Sequence, residues 1–303
     1  MNIQHIPYKE IDKDKWDKCI DNADNGSIYA YSFYLDAMSK NWDALVLNDY
    51  EIVMPLTWNK KYGFYYLYQP FFCASLGVFG NNISKETLEA FLNAIPKKFK
   101  LWDIYLNHKN NHTLDNFNLY QRRNFILPLN DAYENIYNNF RENIKRNIKK
   151  ATGLNCSVRR EIGIDDIIAL AKDQSKTFSP IAADDFERFK KLYAILKDRQ
   201  KTANYAVYLP SGELAASAVF LFSHNRAYYI LVGNHPNGKT VGASHVLIDA
   251  FIKDHSNNNI VLDFEGSDVQ NLAFFYSGFG AKEELYTGIK LNRLPFWVRW
   301  FKK

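Results

Sequence analysis

Several things that would settle the class of this chain quickly are scarce or missing, and each shortage excludes something. There are three cysteines in 303 residues, Cys19, Cys73 and Cys156, odd in number and widely separated. That spacing supports neither a disulfide framework nor a thiolate metal site, and buried free thiols are the expectation. No run approaches the roughly 18 apolar residues of a membrane span. The opening Met1-Asn2-Ile3-Gln4-His5 holds no apolar leader core, so the cytosol is the expected compartment. The seven histidines are dispersed, and His108 with His112 stand in an Asn-rich stretch, so no metal site is expected. A Gly-x-Ser-x-Gly elbow, a Walker loop and a dinucleotide fingerprint are all absent. Net charge is +5, which excludes little because it is unevenly spread.

What is present is apolar and aromatic. Hydrophobic residues make up 47% of the chain, ample for a core, and 20 Tyr with 22 Phe suit sheets with half-wet faces. The organisation comes from an internal repeat with an offset of roughly 160 residues. Copy one reads as strands at 44–47, 51–56 and 64–67, a glycine-bearing loop at 77–82, a helix near 84–95 and a strand at 101–105. Copy two reads as strands at 206–209, 213–219 and 227–231, a glycine-bearing loop, a helix near 241–254 and a strand at 260–263. Two helices precede each meander, at 9–20 and 31–39, and at 165–178 and 183–200, the last two with clear helical period. Meanders followed by a helix and another strand predict an α/β chain of two domains, each a mixed sheet flanked by helices. The expected domains are residues 1–130 and 131–303, joined in the polar stretch Asn130–Asn139 or along the basic helix after it.

The chemistry-bearing residues lie in copy two. His235-Pro-Asn-Gly238-Lys239-Thr-Val-Gly242-Ala243-Ser244-His245 precedes the helix. Glycines permit tight turns and close ligand approach, and free N–H groups at a helix start attract phosphate. The same stretch also reads as an ordinary strand-to-helix loop with Ser244 as its cap. Copy one has no basic residue in its loop, so carrier binding is expected only in copy two. A backbone N–H near Leu231–Gly233, where the third strand ends, would polarise a carbonyl. Alternation along Val261-Leu262-Asp263-Phe264-Glu265 places Asp263 and Glu265 on one strand face. Like charges there can raise one pKa and make a base, with Glu265 favoured as nearer the strand end. The competing reading has Asp263 capping a turn and Glu265 paired with Lys or Arg. Tyr276, between Phe275 and Phe279, is a candidate acid or a core tyrosine. Arg141, Lys145 and Lys149 share one face of a basic helix. That face could hold a carrier phosphate, tRNA or an anionic headgroup, or simply be solvated. The aromatic and basic tail Leu294–Lys303 could rest on a membrane or pack on its own domain.

Lys239-x-x-Gly242-x-Ser244, with Asn271, Ala273, Tyr276 and Gly278-Phe279 after Asp263-Phe264-Glu265-Gly266-Ser267, resembles the acyl-CoA-binding half of GNAT-type acyltransferases. The family pattern is Arg/Gln-x-x-Gly-x-Gly/Ala followed by Asn-x-x-Ala-x-x-x-Tyr-x-x-x-Gly-Phe; here both ends of the loop differ and the second spacing is tighter. Phe140-Arg141-Glu142-Asn143-Ile144-Lys145-Arg146-Asn147-Ile148-Lys149-Lys150-Ala151 resembles a basic segment of FemAB-like proteins, which carry two GNAT-like domains. The resemblance covers about 130–295. It implies tandem GNAT-like domains and transfer of an acyl or aminoacyl group to an amine-bearing acceptor. The implied co-substrate is acyl-CoA or, in the FemAB-type alternative, aminoacyl-tRNA with a cell-envelope precursor as acceptor. It implies Tyr276 as the group protonating the leaving group. A non-catalytic binding protein on the same fold is the rival of a different class.

Overall fold

The computed structural model describes residues 2–178, 181–266 and 268–295. In chain order its elements are β1 (Ile3–Ile6), α1 (Lys13–Asn22), α2 (Ser32–Met38), β2 (Asn41–Leu47), β3 (Ile52–Lys61), β4 (Phe64–Tyr68), α3 (Lys85–Ala94), β5 (Phe99–Leu106) and β6 (Leu119–Pro128). There follow α4 (Tyr133–Asn138), α5 (Glu142–Gly153), β7 (Ser157–Arg159), α6 (Ile164–Phe178), α7 (Ala183–Asp198), β8 (Thr202–Tyr208), β9 (Leu214–Ser223) and β10 (Arg226–Asn234). The last are α8 (Pro236–Val241), α9 (Ala243–His255), β11 (Val261–Asp263), α10 (Gln270–Ser277) and β12 (Lys282–Asn292).

The chain divides into two compact units, residues 1–122 with 285–303, and residues 123–284. The first unit runs β1-β2-β3-β4-β5-β12, antiparallel except for the parallel β4–β5 pair. The second runs β7-β8-β9-β10-β11-β6, antiparallel except for the parallel β10–β11 pair. The parallel pair falls at the same place in both because a helix, α3 or α9, returns the chain between those strands. This is the repeated mixed α/β arrangement expected from the sequence. Two strands lie across residue 130 from the unit that they join. Each unit takes its sixth strand from the other half of the chain, β12 pairing with β5 from Thr287↔Leu106 to Asn292↔Leu101 and β6 pairing with β11 at Leu127↔Leu262. Within the polar stretch Asn130–Asn139, Tyr133–Asn138 form helix α4, which buries Ile136.

Each unit has its own core. In the second, Phe220 and Phe251 stack at 3.7 Å and 9°, fixing α9 on β9. Burying such a ring is worth about 1.5–3 kcal/mol. In the first, Phe91, Phe99 and Trp102 are buried between α3 and the sheet. Ser84 caps α3 by accepting from the Thr87 N–H at 3.2 Å. Among the described residues, no helix is long and apolar enough to cross a membrane. Residues 296–303 of the aromatic and basic tail, and Ser267, lie outside the described residues.

Candidate functional site

The second unit contains a place where two parallel strands part. β10 and β11 pair only from Arg226↔Val261 to Tyr228↔Asp263. β10 continues against β9 as far as Asn234↔Ala216, with a register shift between Tyr229 and Leu231. Beyond Tyr228, then, β10 keeps one partner and opens its other edge. Which N–H groups face that opening follows from alternation. The His235 N–H donates to Ala215 O at 2.9 Å, toward β9, whereas the Asn234 N–H donates to Gln174 Oε1 at 2.6 Å, away from it. Two residues back from Asn234, the Val232 N–H takes the open side. Leu231 and Gly233, both expected to bind the carrier, direct their N–H groups at β9. Gly233 is small for another reason: a Cβ there would lie 2.8 Å from Leu170 Cγ of α6.

The loop expected before the helix is partly helix α8, closed by Gly242 at φ +85. Its glycines are used by the chain itself. A Cβ on Gly238 would collide with Ala215 O, and one on Gly242 would lie 2.8 Å from Asn147 O of α5. Lys150 Nζ donates to Thr240 O at 2.7 Å, which also holds α5 on α8. Lys239 is exposed. The Ser244 hydroxyl donates to Asn234 Oδ1, tying α9 to the end of β10, so it does not cap the helix. The N–H groups of Ala243 and Ser244, in the first turn of α9, have no intrahelical partner. Next to them, burial pulls the His245 imidazole down to about 4, against the Gly242 backbone, which raises it.

The two carboxylates do not share a strand face, because β11 ends at Asp263 and Glu265 has φ +63. Asp263 is buried and fully engaged: Arg226 Nη1 lies 2.5 Å from Oδ2, while Oδ1 accepts from Asn124 Nδ2 at 2.8 Å and from the Glu265 N–H at 2.9 Å. Arg226 also grips both oxygens of Glu284, at 2.9 and 3.0 Å. Burial works against the Arg226 charge, but Asp263 and Glu284 outweigh it and raise its proton affinity. Asp263 thus anchors a turn, as the competing reading had it. Asn124 completes the turn by accepting the Gly266 N–H at 2.7 Å. Consecutive left-handed residues, Glu265 and Gly266 (φ +74), are held this way. A non-glycine residue there costs roughly 1–2 kcal/mol, and such strain gathers at functional sites.

Tyr276 is buried, its ring stacked on Phe264 at 4.6 Å and 20°. Burial first, then the charge of Glu265, pushes its phenol up. Tyr229, on β10 just before the register shift, meets Tyr276 edge-on at 6.5 Å; burial, with Tyr276 beside it, raises its phenol too. Both phenols therefore stay protonated at neutral pH. Tyr276 thus feels the charge of Glu265 from the turn that follows β11.

The expected basic strip is split. Arg141 donates to Phe274 O at 3.5 Å with its guanidinium 4.8 Å from the Phe274 ring centroid, and Lys145 donates to Asn138 O at 3.2 Å. Lys149 is exposed with Arg146 beside it, and neither has an ion pair among the described residues. Arg226, Asn124 and Gln174 carried no motif. Only Arg226 had a signal, a charge opening the apolar run Ala227–Leu231. No group of His, Cys, Asp and Glu among the described residues could hold a metal ion.

Residues 138–269 match the family model of an acetyltransferase (GNAT) domain. That stretch runs from the end of α4 past β11 and includes β10, the opening and α9, so this part of the second unit is similar to a GNAT-type acetyltransferase domain. Nearly the whole chain is similar to the solved structure of FemX, at 13% identity, with 95% of this chain and 97% of that one covered and a TM-score of 0.66. It is also similar to a conserved protein of unknown function from Bacteroides thetaiotaomicron VPI-5482 (10% identity, 95% and 99% covered, TM-score 0.61). A third likeness is to L-PGS from Bacillus licheniformis (10% identity, 84% of both chains covered, TM-score 0.50). At such identities the likeness is one of fold. No curated protein matches the chain.

Proposed function

We propose that this protein transfers an acyl or aminoacyl group from a phosphate-bearing carrier to an amine-bearing acceptor, with acyl-CoA as the first reading of the carrier. The observation that carries the reading is the parting of β10 and β11 beyond Tyr228↔Asp263. A carbonyl entering the opening meets the Val232 N–H, a fixed donor placed where negative charge develops during attack. Glu265 takes the proton of the attacking amine, and Tyr276, kept protonated by burial, gives a proton to the leaving group. The carrier phosphates lie at the N-terminus of α9, where Ala243 and Ser244 N–H groups and the helix dipole favour an anion.

The first unit takes no carrier in this reading. Its loop N–H groups are used by asparagines: Val78 N–H donates to Asn110 Oδ1 at 2.7 Å and Gly80 N–H to Asn25 Oδ1 at 3.1 Å. One observation favours the second reading, aminoacyl-tRNA as carrier and a cell-envelope precursor as acceptor: Arg146 and Lys149 leave charge on α5 open to a longer polyanion. Binding whose logarithm falls steeply with the logarithm of salt would select tRNA.

A thermal-shift panel of acyl-CoAs, nucleotides and charged tRNA tests the proposal, since a ligand at 100 times its Kd adds about 2.7 kcal/mol. Turnover of the stabilising donor should fall by about 10²–10⁴ in Glu265→Gln. A panel without any shift, or a variant within about twofold of the parent at every pH, contradicts the proposal.

A further inference from the structure

One end of the first unit's sheet gathers cations and leaves out acids. Segments 52–85, 90–102 and 285–303 contain no Asp or Glu. The strand register brings parts of them together. Lys60 pairs with Tyr65 across the β3–β4 hairpin, Tyr65 pairs with Phe99 at the start of β5, and the Arg293 N–H, just past β12, donates to Lys100 O at 2.7 Å. Lys60, Lys61, Lys97, Lys98, Lys100 and Arg293 therefore stand at one end of four adjacent strands, a strip about 14 Å across at the usual strand spacing. Of the six, Lys98 alone has an ion pair among the described residues, with buried Asp43 at 3.3 Å. Like charges this close repel one another across about two Debye lengths at physiological salt, so the strip favours an anionic surface laid over it.

The hairpin tip adds a second feature. The register Lys61↔Phe64 leaves the two-residue turn Tyr62-Gly63, with φ +50 and +83. Such turns favour Asn or Asp at the first position, because a left-handed backbone crowds a large side chain. Tyr62 occupies it and is 79% exposed. A Cβ on Gly63 would meet nothing within 4 Å, so the tip projects into open space. An aromatic ring placed there packs on no core, and backbone strain of this kind gathers where function requires it. Tyrosine suits the boundary between water and lipid, with an apolar ring and a polar tip. A single-stranded nucleic acid would need a row of open rings to stack on. Here the next rings are already covered: Lys60 Nζ lies 4.9 Å and Lys98 Nζ 5.9 Å from the Tyr65 centroid, and Tyr66 lies 6.0 Å from Tyr68.

We propose that this end of the first unit docks on an anionic membrane surface, with Tyr62 at headgroup level and the basic strip against the lipid phosphates. The proposal is independent of the transfer reaction, because no donor enters its assay. The test is co-sedimentation with phosphatidylcholine vesicles, with and without about 30% phosphatidylglycerol. Binding should require the anionic lipid and vanish in about 1 M salt, where the Debye length is about 3 Å. Lys60→Gln with Lys61→Gln should weaken binding about 30-fold, at roughly fivefold for each charge near an anionic leaflet. Tyr62→Asn removes the ring and suits the turn, so it should weaken binding while Tm stays level or rises. On the parent, anionic vesicles should slow amide exchange over residues 60–64, a reading that needs no variant. Absence of binding to anionic vesicles overturns the proposal. So does binding that both variants leave unchanged, or that protects only other segments, residues 296–303 included. Binding of an oligonucleotide through the same lysines, without binding of vesicles, would make the surface a nucleic-acid site and overturn it too.

Discussion

Replacing Glu265 by glycine separates what this residue does from what its backbone costs. At φ +63 a residue with a Cβ is strained by roughly 1–2 kcal/mol. Glycine removes the strain but loosens the unfolded chain, which returns about 0.4–1 kcal/mol. The balance is a protein as stable as the parent or more stable by up to about 1.6 kcal/mol. For units of this size that is a Tm rise of about 6 °C at most. The Asp263 and Asn124 side chains still hold the turn, because they bond the N–H groups of residues 265 and 266 and not the carboxylate. Turnover, in contrast, should fall by about 10²–10⁴ with the base gone. Differential scanning calorimetry reads the first quantity without substrate, and an assay with the donor found by thermal shift reads the second. A Tm that drops several degrees would show the carboxylate to be a structural partner. Unchanged turnover would show that Glu265 is no base.

Three further outcomes follow from the same geometry. Gly242→Ala should lower the Tm by several degrees, since its Cβ meets Asn147 O at 2.8 Å and its φ is +85; an unchanged Tm would remove the packing account of this glycine. Arg226→Met should cost about 3–5 kcal/mol in urea unfolding, because it leaves buried Asp263 without its cation; a loss under about 1 kcal/mol would contradict the anchoring role. His245 is held at about 4 in the fold against about 6.5 unfolded, so the unfolded chain binds the extra proton between those values. Stability is then fully present above about pH 6.5 and is lost as pH falls toward 4, by up to about 3 kcal/mol at 1.36 kcal/mol per pH unit. Comparing Tm across pH 4–7 should show a shallower slope in His245→Phe, and equal slopes would exclude His245 as the titrating group.

The repeated strand order was legible in the sequence because each meander is three short apolar runs separated by turns, and each is followed by a helical period. The exchange of the sixth strands was not. An antiparallel strand such as β12 pairs equally well by pattern with either half, and only tertiary packing selects β5. Glycines 233, 238 and 242 were legible as special positions, but glycine serves a ligand and a neighbouring backbone alike, and here α6, Ala215 and α5 approach them. The pairing of Asp263 with Glu265 failed for a local reason. Strand alternation was carried two residues too far, past the point where a positive φ ends it. Glu265 and Tyr276 were chosen separately, and the charge of Glu265 is felt at the neutral Tyr276 phenol. Val232 could not be singled out, because which edge of β10 stays open depends on where β11 stops.

The account rests on the Val232 N–H facing an opening that receives the reacting carbonyl, and amide-resolved NMR tests that directly. In a ¹⁵N-labelled, valine-assigned sample, saturating donor should shift the Val232 amide strongly and slow its hydrogen exchange, while Leu231 and Gly233, already bonded toward β9, move little. A donor that binds but leaves Val232 unshifted, or perturbs only residues of the first unit, would contradict the site.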